Sequence, residues 1–391
     1  MNTQPAVENG FASAGGEWAP IAGESVRRVG VVDVGSNSVR LVVFDGVARS
    51  PAYFYNEKIL CGLGRGLRES GILNPDGRAR AMAAIRRFAA LARVMEVTAL
   101  TGVATAAVRE ADDGETFCRA VAAETGLSLN VAAGEEEALL SAKGVLLGWP
   151  QATGLVCDIG GASMELARVE RGVVGACATS ALGPLALADV AGKALDKRIA
   201  VETRRIVAAI GGAAPKIYLV GGSWRAIARL DMERRGYPLK VLHEYGMTPK
   251  AALETCDWLA DSAPEDLRAL TDTSTARLDL VPTAARVLRH LLAEAKPHKL
   301  VVSSYGLREG LLYEKMPPSL RARDPLLEAA RHMEQTRARF PGLAHRSIPG
   351  CRRFTATPTA PACGLSGRLA TCTTSPGARI PTIARKCVSK P

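Results

Sequence analysis

One pattern occurs twice in this chain, and it constrains the fold more than any other feature. Arg28-Val-Gly-Val-Val-Asp33 is a short apolar run that ends at an aspartate and the turn Val34-Gly-Ser-Asn-Ser38, after which Val39–Asp45 is apolar again. Leu155-Val-Cys-Asp158 leads in the same way into Ile159-Gly-Gly-Ala-Ser163, and Met164–Glu170 follows as the second strand. The two aspartates lie 125 positions apart. A strand, acidic turn, strand unit repeated at domain-sized spacing predicts two similar α/β domains facing each other, with ligand in the cleft between them. Ile217-Tyr-Leu-Val-Gly-Gly-Ser223 adds a third apolar strand that ends in a glycine loop.

Helical stretches fill the spaces between. Asn74-Pro75 reads as an N-cap and first helical residue, opening a helix with Met82, Ile85, Phe88 and Met95 at helical spacing. Thr98–Gly102 is expected as a strand, and Glu135–Leu147 as a helix with Leu139, Ala142 and Leu146 on one face. Pro282 opens a helix carrying Val287, Leu288, Leu291 and Leu292, and Leu300–Ser303 is a late strand leading to Gly306. With 391 residues, 47% of them hydrophobic, two or three domains with substantial cores are expected.

The ends differ from this body. Residues 1–26 have no basic start and no continuous apolar stretch, so they read as a flexible leader rather than a secretory signal. No apolar run approaches the roughly 18 residues needed to span a bilayer, so no membrane partner is expected and the chain is read as cytoplasmic. Residues 27–149 and 150–316 are expected as the two domains, with 317–340 the remnant of a helical region in which Leu326, Leu327, Ala330 and Met333 recur at helical spacing. Residues 341–391 show neither helical nor strand period. They hold eight Lys or Arg, no Asp or Glu, and four of the nine cysteines, a composition expected of an out-of-frame tail more than of an ordinary disordered one. That tail carries most of the net charge of +11. The body is therefore only mildly basic, and no nucleic-acid partner is expected. Cys61, Cys118, Cys157, Cys177 and Cys256 form no C-x-x-C pair and read as buried small apolar residues rather than zinc ligands.

The chemistry concentrates at the repeated turns. An aspartate at a strand end, followed by Gly35 and the small donors Ser36, Asn37 and Ser38, lets backbone N–H groups approach a phosphate. Gly160, Gly161, Ala162 and Ser163 repeat that arrangement. Arg40, two residues beyond the first loop, offers a charge-assisted hydrogen bond to an oxyanion. Glu165 lies seven residues beyond Asp158, so the returning strand brings it back toward the cleft, and such paired carboxylates suit Mg²⁺. Glu135, Glu136 and Glu137 stand at the head of a helix, where acidic residues ordinarily stabilise the dipole. Because this run directly precedes the second half of the repeat, Glu137 is the candidate for the base that activates water attacking phosphorus. Arg109 and Arg308 either contact phosphate or begin helices with ion pairs.

Six stretches carry a family likeness: DVGSNSVRLVVFDG, VATAAVREADDGETF, GEEEALLSAKGV, LVCDIGGASMEL, YLVGGSWRAIARL and SSYGLREGLLY. In this order they resemble the exopolyphosphatase and guanosine pentaphosphate phosphohydrolase (Ppx/GppA) family, within the sugar kinase–Hsp70–actin superfamily. The resemblance covers about residues 28–316. It implies an α/β fold of two duplicated ribonuclease H-like, actin-like ATPase domains across a cleft, here with a truncated or aberrant C-terminal region. It implies Glu137 as catalytic glutamate, and Asp158 and Glu165 as metal-linked carboxylates, with Asp33 counted beside them. Gly35–Ser38 and Gly160–Ser163 become the phosphate loops, and Arg40 and Arg109 the phosphate-contacting arginines. Mg²⁺ is the implied cofactor, inorganic polyphosphate or guanosine pentaphosphate the implied substrate, and a homodimer the implied assembly. Ala162 departs from the family pattern, standing where a third glycine is usual, and its β-carbon fits only if φ stays negative. A nucleotide-using kinase or actin-like ATPase of the same superfamily, or a binding protein without turnover, are the rival readings.

Overall fold

The computed structural model describes residues 28–262, 264–271 and 278–337. The leader and the tail expected at 1–26 and 341–391 lie outside them. The first half comprises β1 (Val29–Val34), β2 (Ser38–Phe44), β3 (Tyr53–Leu60), α1 (Leu67–Ser70), α2 (Pro75–Val94), β4 (Ala99–Ala104), α3 (Ala106–Glu110), α4 (Gly114–Thr125), β5 (Leu129–Val131) and α5 (Gly134–Gly148). The second comprises β6 (Gly154–Ile159), β7 (Met164–Glu170), β8 (Val173–Ser180), α6 (Gly192–Ala209), β9 (Lys216–Gly221), α7 (Gly222–Arg234), β10 (Gly246–Met247), α8 (Pro249–Asp261), α9 (Pro264–Leu270), α10 (Val281–Ala295), β11 (Lys299–Val302) and α11 (Leu307–Glu314). Two further helices, α12 (Pro318–Arg321) and α13 (Pro325–Arg337), follow.

The sequence repeat is a structural repeat. The first sheet runs β3-β2-β1-β4-β5, with β1 antiparallel to β2 and parallel to β4. The second runs β10-β11-β9-β6-β7-β8, with β6 antiparallel to β7 and parallel to β9. Read outward from β1 and from β6, the two sheets share one strand order, and β10 is an addition to the edge of the second. This is the expected duplicated α/β architecture.

Alternation along the central strands assigns each residue to a face. Val32 and Val34 of β1 pack into a core with Ile85 and Phe88 of α2, while Val29 and Val31 pack on the opposite face with Leu140 and Leu147 of α5 and Leu311 and Leu312 of α11. In β6, Leu155 and Cys157 enter the large core of the second half, whereas Val156 packs with Ala138, Ala142 and Val145 of α5. Helix α5 is thus buried between the two sheets on two faces, where the sequence pattern suggested one. Asp33 shares the parity of Val31, and Asp158 that of Val156, so both aspartates sit on the inner faces at the strand ends.

Local signals account for several element boundaries. The Asn74 side chain accepts the Gly77 N–H at 2.8 Å, capping α2. Thr248 does the same for Ala251 at the head of α8. Cys61, Cys157 and Cys256 are buried as expected, but Cys118 and Cys177 are only half-buried. Gly222 and Ser223, read as a loop, form the first turn of α7. Among the described residues no helix is long and apolar enough to cross a membrane.

A close backbone approach in the interior joins α5 to the start of α11. A side chain on Gly144 would collide with the Gly306 backbone, and one on Gly310 with the Leu140 carbonyl. Substituting either with alanine overpacks this crossing and is expected to lower stability by about 1–3 kcal/mol. Gly175→Ala, whose added carbon would meet only the Arg168 carbonyl at 3.7 Å, should be nearly neutral. Equilibrium denaturation of the three variants checks this.

Candidate functional site

The two acidic turns are built alike. The Gly35 N–H donates to the Ser38 carbonyl at 3.0 Å, and the Gly160 N–H to the Ser163 carbonyl at 2.9 Å. The loop carbonyls are then drawn backward. Ser36 O accepts from Gly64, Asn37 O from Cys61 and Gly62, Gly161 O from Leu185, and Ala162 O from Gly183. Across a planar trans peptide the following N–H points the other way. The N–H groups of Asn37, Ser38, Ala162 and Ser163 are therefore directed away from those supports, toward the space between the loops.

The loops oppose each other closely: a β-carbon on Gly161 would stand 3.9 Å from that of Ser36. Both border a cavity of about 270 Å³ that also receives Asp33, Arg40, Glu137, Asp158, Glu165, Arg225 and Arg308. Ala162 is absent from the positive-φ residues, so its β-carbon is accommodated. Gly35 does not adopt a left-handed φ either; the glycine conformation that this site does require is at Gly221, with φ 109°. A side chain there would collide with the backbone of Ile159 and reach within 2.9 Å of Asp158 Oδ1.

The three glutamates at the head of α5 separate by role. Glu135 is exposed and Glu136 half-buried, and Glu136 Oε2 accepts the Ala133 N–H at 3.4 Å, the helix-start function expected of acidic residues. Glu137 is buried and turns inward to an ion pair with Arg109. Arg109 is itself anchored by donating to the Ala132 carbonyl at 2.7 Å. Burial pushes the Glu137 carboxyl up to about 7 against the pull of Arg109, with Asp158 and Asp33 adding to the rise.

The other carboxylates are also held in low-dielectric surroundings. Asp158 Oδ2 accepts the Ser141 hydroxyl, and burial raises its pKa. Glu165 Oε1 accepts the Thr179 hydroxyl at 3.3 Å, and burial together with Glu137 and Asp158 raises it well above the ordinary range. Asp33 instead has an ion pair with Arg308 at 2.6 Å. Arg308, for which the sequence left two roles open, lines the cavity while its neighbour Glu309 caps α11 by accepting the Gly306 N–H at 2.8 Å.

Three arginines line the same cavity. Arg225 is held by the carbonyls of Ser303 and Ser304 at 3.0 and 3.1 Å. Burial, with Arg308 next, lowers its pKa. Arg40 is lowered to about 10 by burial, then by Arg308 and Arg225. The buried Nε of Arg308 has no hydrogen-bond partner in the protein. Mutually repelling, desolvated cations of this kind form a site that an anion stabilises. Sequence reasoning missed Arg225. Its signal was an arginine in the first helical turn after the Gly221-Gly-Ser223 motif.

The donor chemistry also bears on a metal. Among the described residues no three His, Cys, Asp or Glu side chains converge as a closed metal cluster. Asp158 and Glu165 are cross-strand partners and present hard carboxylate oxygens side by side. That suits Mg²⁺, which is commonly held by one or two carboxylates together with phosphate oxygens and water.

A family model described as the Ppx/GppA phosphatase family matches residues 42–319. The chain belongs to the Ppx/GppA family. Exopolyphosphatase 2 of Mycobacterium tuberculosis is 25% identical over 315 residues, covering 73% of this chain and 98% of the relative. Exopolyphosphatase 1 of Mycobacterium bovis is 34% identical over 142 residues, 36% of this chain and 41% of the relative. A crystal structure of an exopolyphosphatase from Cytophaga hutchinsonii superposes with a TM-score of 0.66 at 22% identity, covering 73% of this chain and 96% of that one. The Aquifex aeolicus Ppx/GppA member gives 0.64 at 23% identity, covering 74% and 97%. These two share the fold of this chain, and the residues matched by the Ppx/GppA model include Glu137, Asp158, the second loop and Glu165, all of which border the cavity.

The buried carboxylates of this Ppx/GppA cleft carry a sign for stability. Raised acid pKa values stabilise the folded, metal-free protein below the unfolded values near 4, and that stability is lost as pH rises through the folded values. A cation bound between them reverses the loss. Mg²⁺ should therefore raise the unfolding temperature at about pH 7.5 and do so much less at about pH 5. Glu165→Gln should raise the metal-free unfolding temperature at the higher pH and remove most of the Mg²⁺ gain. Thermal unfolding with Mg²⁺ or a chelator measures both.

Proposed function

We propose that this protein is an exopolyphosphatase that hydrolyses the terminal phosphoanhydride of inorganic polyphosphate and releases orthophosphate. The observation that carries the reading is the meeting of one buried carboxylate, Glu137, with two opposed phosphate loops and the arginines Arg40, Arg225 and Arg308 around one cavity. The names of its mycobacterial relatives support the same substrate class.

In this reading the loops Gly35–Ser38 and Gly160–Ser163 hold the terminal phosphate from both sides, through the N–H groups of Asn37, Ser38, Ala162 and Ser163 and the hydroxyls of Ser36, Ser38 and Ser163. Glu137 accepts the proton of a water whose oxygen forms the new P–O bond, while the bridging P–O bond breaks and its electrons leave with the shortened chain. A carboxyl near neutrality suits that role, because a base works best with a pKa close to the working pH. Arg109 fixes the orientation of Glu137 and stands ready for a phosphate oxygen. Asp158 and Glu165 are the proposed Mg²⁺ ligands, with Asp33 facing them from the other wall, where Arg308 is its partner. Mg²⁺, when bound, neutralises charge on the phosphate oxygens as the transition state develops.

Guanosine pentaphosphate is the second reading, favoured by the same features, since the loops and arginines address phosphates and not a base. Glu137→Gln should lower turnover by about 10²–10⁴-fold while leaving the unfolding temperature nearly unchanged; near-wild-type phosphate release by this variant would overturn the assignment of the base. Release of orthophosphate from long polyphosphate, guanosine pentaphosphate and ATP, each with Mg²⁺, tests the substrate. Preference for polyphosphate is expected, and no release from any of them would leave a binding protein without turnover.

A further inference from the structure

The duplicated register gives the two walls of the cleft opposite charge. In the second sheet the row at the level of Asp158 reads Thr179, Glu165, Asp158, because Glu165 pairs with both neighbours. The equivalent row of the first sheet reads Lys58, Arg40, Asp33, because Arg40 pairs with Asp33 on β1 and with Lys58 on β3. Directly paired residues project from the same face of a sheet. A carboxylate and a hydroxyl thus flank one aspartate, while two cations flank the other.

The placement of those cations is directional. β3 is the edge of its sheet, and Lys58 is exposed there while still bordering the cavity. Glu137 and Arg109 lie on the far side of Asp33, beyond β4, where Arg109 is tied to Ala132 just after β5. Arg40 is turned along β3 by donating from Nε to Asn56 Oδ1 at 2.7 Å. The acidic residue next to Lys58, Glu57, is on the other face and engaged by Arg87 at 3.2 Å. From Asp33 to Lys58 is two strand spacings, about 10 Å, farther than a single phosphate reaches.

We propose that Arg40 and Lys58 form a distal subsite for a linear polyphosphate whose terminal phosphate faces Glu137, Arg40 meeting the second phosphate and Lys58 the third and later ones, the chain entering over the edge strand β3. This rests on the exopolyphosphatase reading and deepens it, by making Lys58 a determinant of chain-length preference.

The test compares wild type, Lys58→Gln and Lys58→Arg, with Lys193→Gln on the exposed face of α6 as the control, on pyrophosphate, tripolyphosphate and long polyphosphate. Lys58→Gln should raise KM for the two longer substrates by about fivefold, the scale of one partly exposed ion pair, with kcat little changed and pyrophosphate much less affected. Lys58→Arg should restore KM. A shift in Lys58→Gln no larger than in Lys193→Gln, or one equal for all three substrates, would overturn the proposal. Equilibrium binding of tripolyphosphate in excess chelator separates this from the hydrolase reading. Tighter binding by wild type than by Lys58→Gln, without any phosphate release by wild type, would retain the subsite and overturn the hydrolase. Phosphate release by wild type with binding unchanged in Lys58→Gln would do the reverse.

Discussion

The contact on which the site depends is the crossing of α5 with the start of α11. Glycines at 144 and 310 let the two backbones meet without intervening side chains. Helix α5 brings Glu137 and Ser141, and α11 brings Arg308, so Glu137, the support of Asp158 and the partner of Asp33 are all positioned from this one junction. Apolar packing fixes it from both sides, because α5 is covered by residues of the first sheet through Leu140 and Leu147 and of the second through Ala142 and Val145. A rigid helix placed between two sheets is a suitable mount for groups that must be held within a fraction of an ångström.

Burial then sets the electrostatics. Carboxylates at 137, 158 and 165 are held where the charged form is costly, and arginines at 40 and 225 likewise. The protein leaves this strain partly uncompensated instead of pairing each cation with an anion, as it does where Arg235 and Tyr245 satisfy the buried Asp231. An active cleft that receives a polyanion and a hard cation has this charge pattern, since the ligands supply the missing partners. The duplication provided one scaffold twice, and a difference at the equivalent positions Arg40 and Glu165 gave its halves different electrostatic tasks.

Much of the fold was legible in the sequence where a local rule dictates the outcome. Asn74-Pro75 started α2 because an asparagine cap followed by proline suits a helix end. β7 spans the expected Met164–Glu170. The amphipathic edges were not legible. β3 alternates exposed and half-buried positions, and β8 is largely exposed, so neither presents the continuous apolar run that marked the central strands. Helix α6 was missed although its buried residues Leu195, Ile199, Thr203 and Ile206 recur at helical spacing, because charged residues separate them and no capping side chain marks its start.

For the site, the sequence by itself determined the repeated turns, the candidate glutamate and the small residues at 35–38 and 160–163, because those depend on backbone chemistry within a few positions. It also confined Ala162 to a negative φ, which the fold satisfies. Only the tertiary structure decided which charged groups share one cavity. Arg225, Arg308 and Lys58 are 192, 275 and 25 positions from Asp33, and only strand register and helix crossing bring them to the same cleft. Desolvation likewise arises from the packing of all these segments together, so the rise of the Glu137 pKa to about 7 is a property of the folded cleft and not of the motif that contains it.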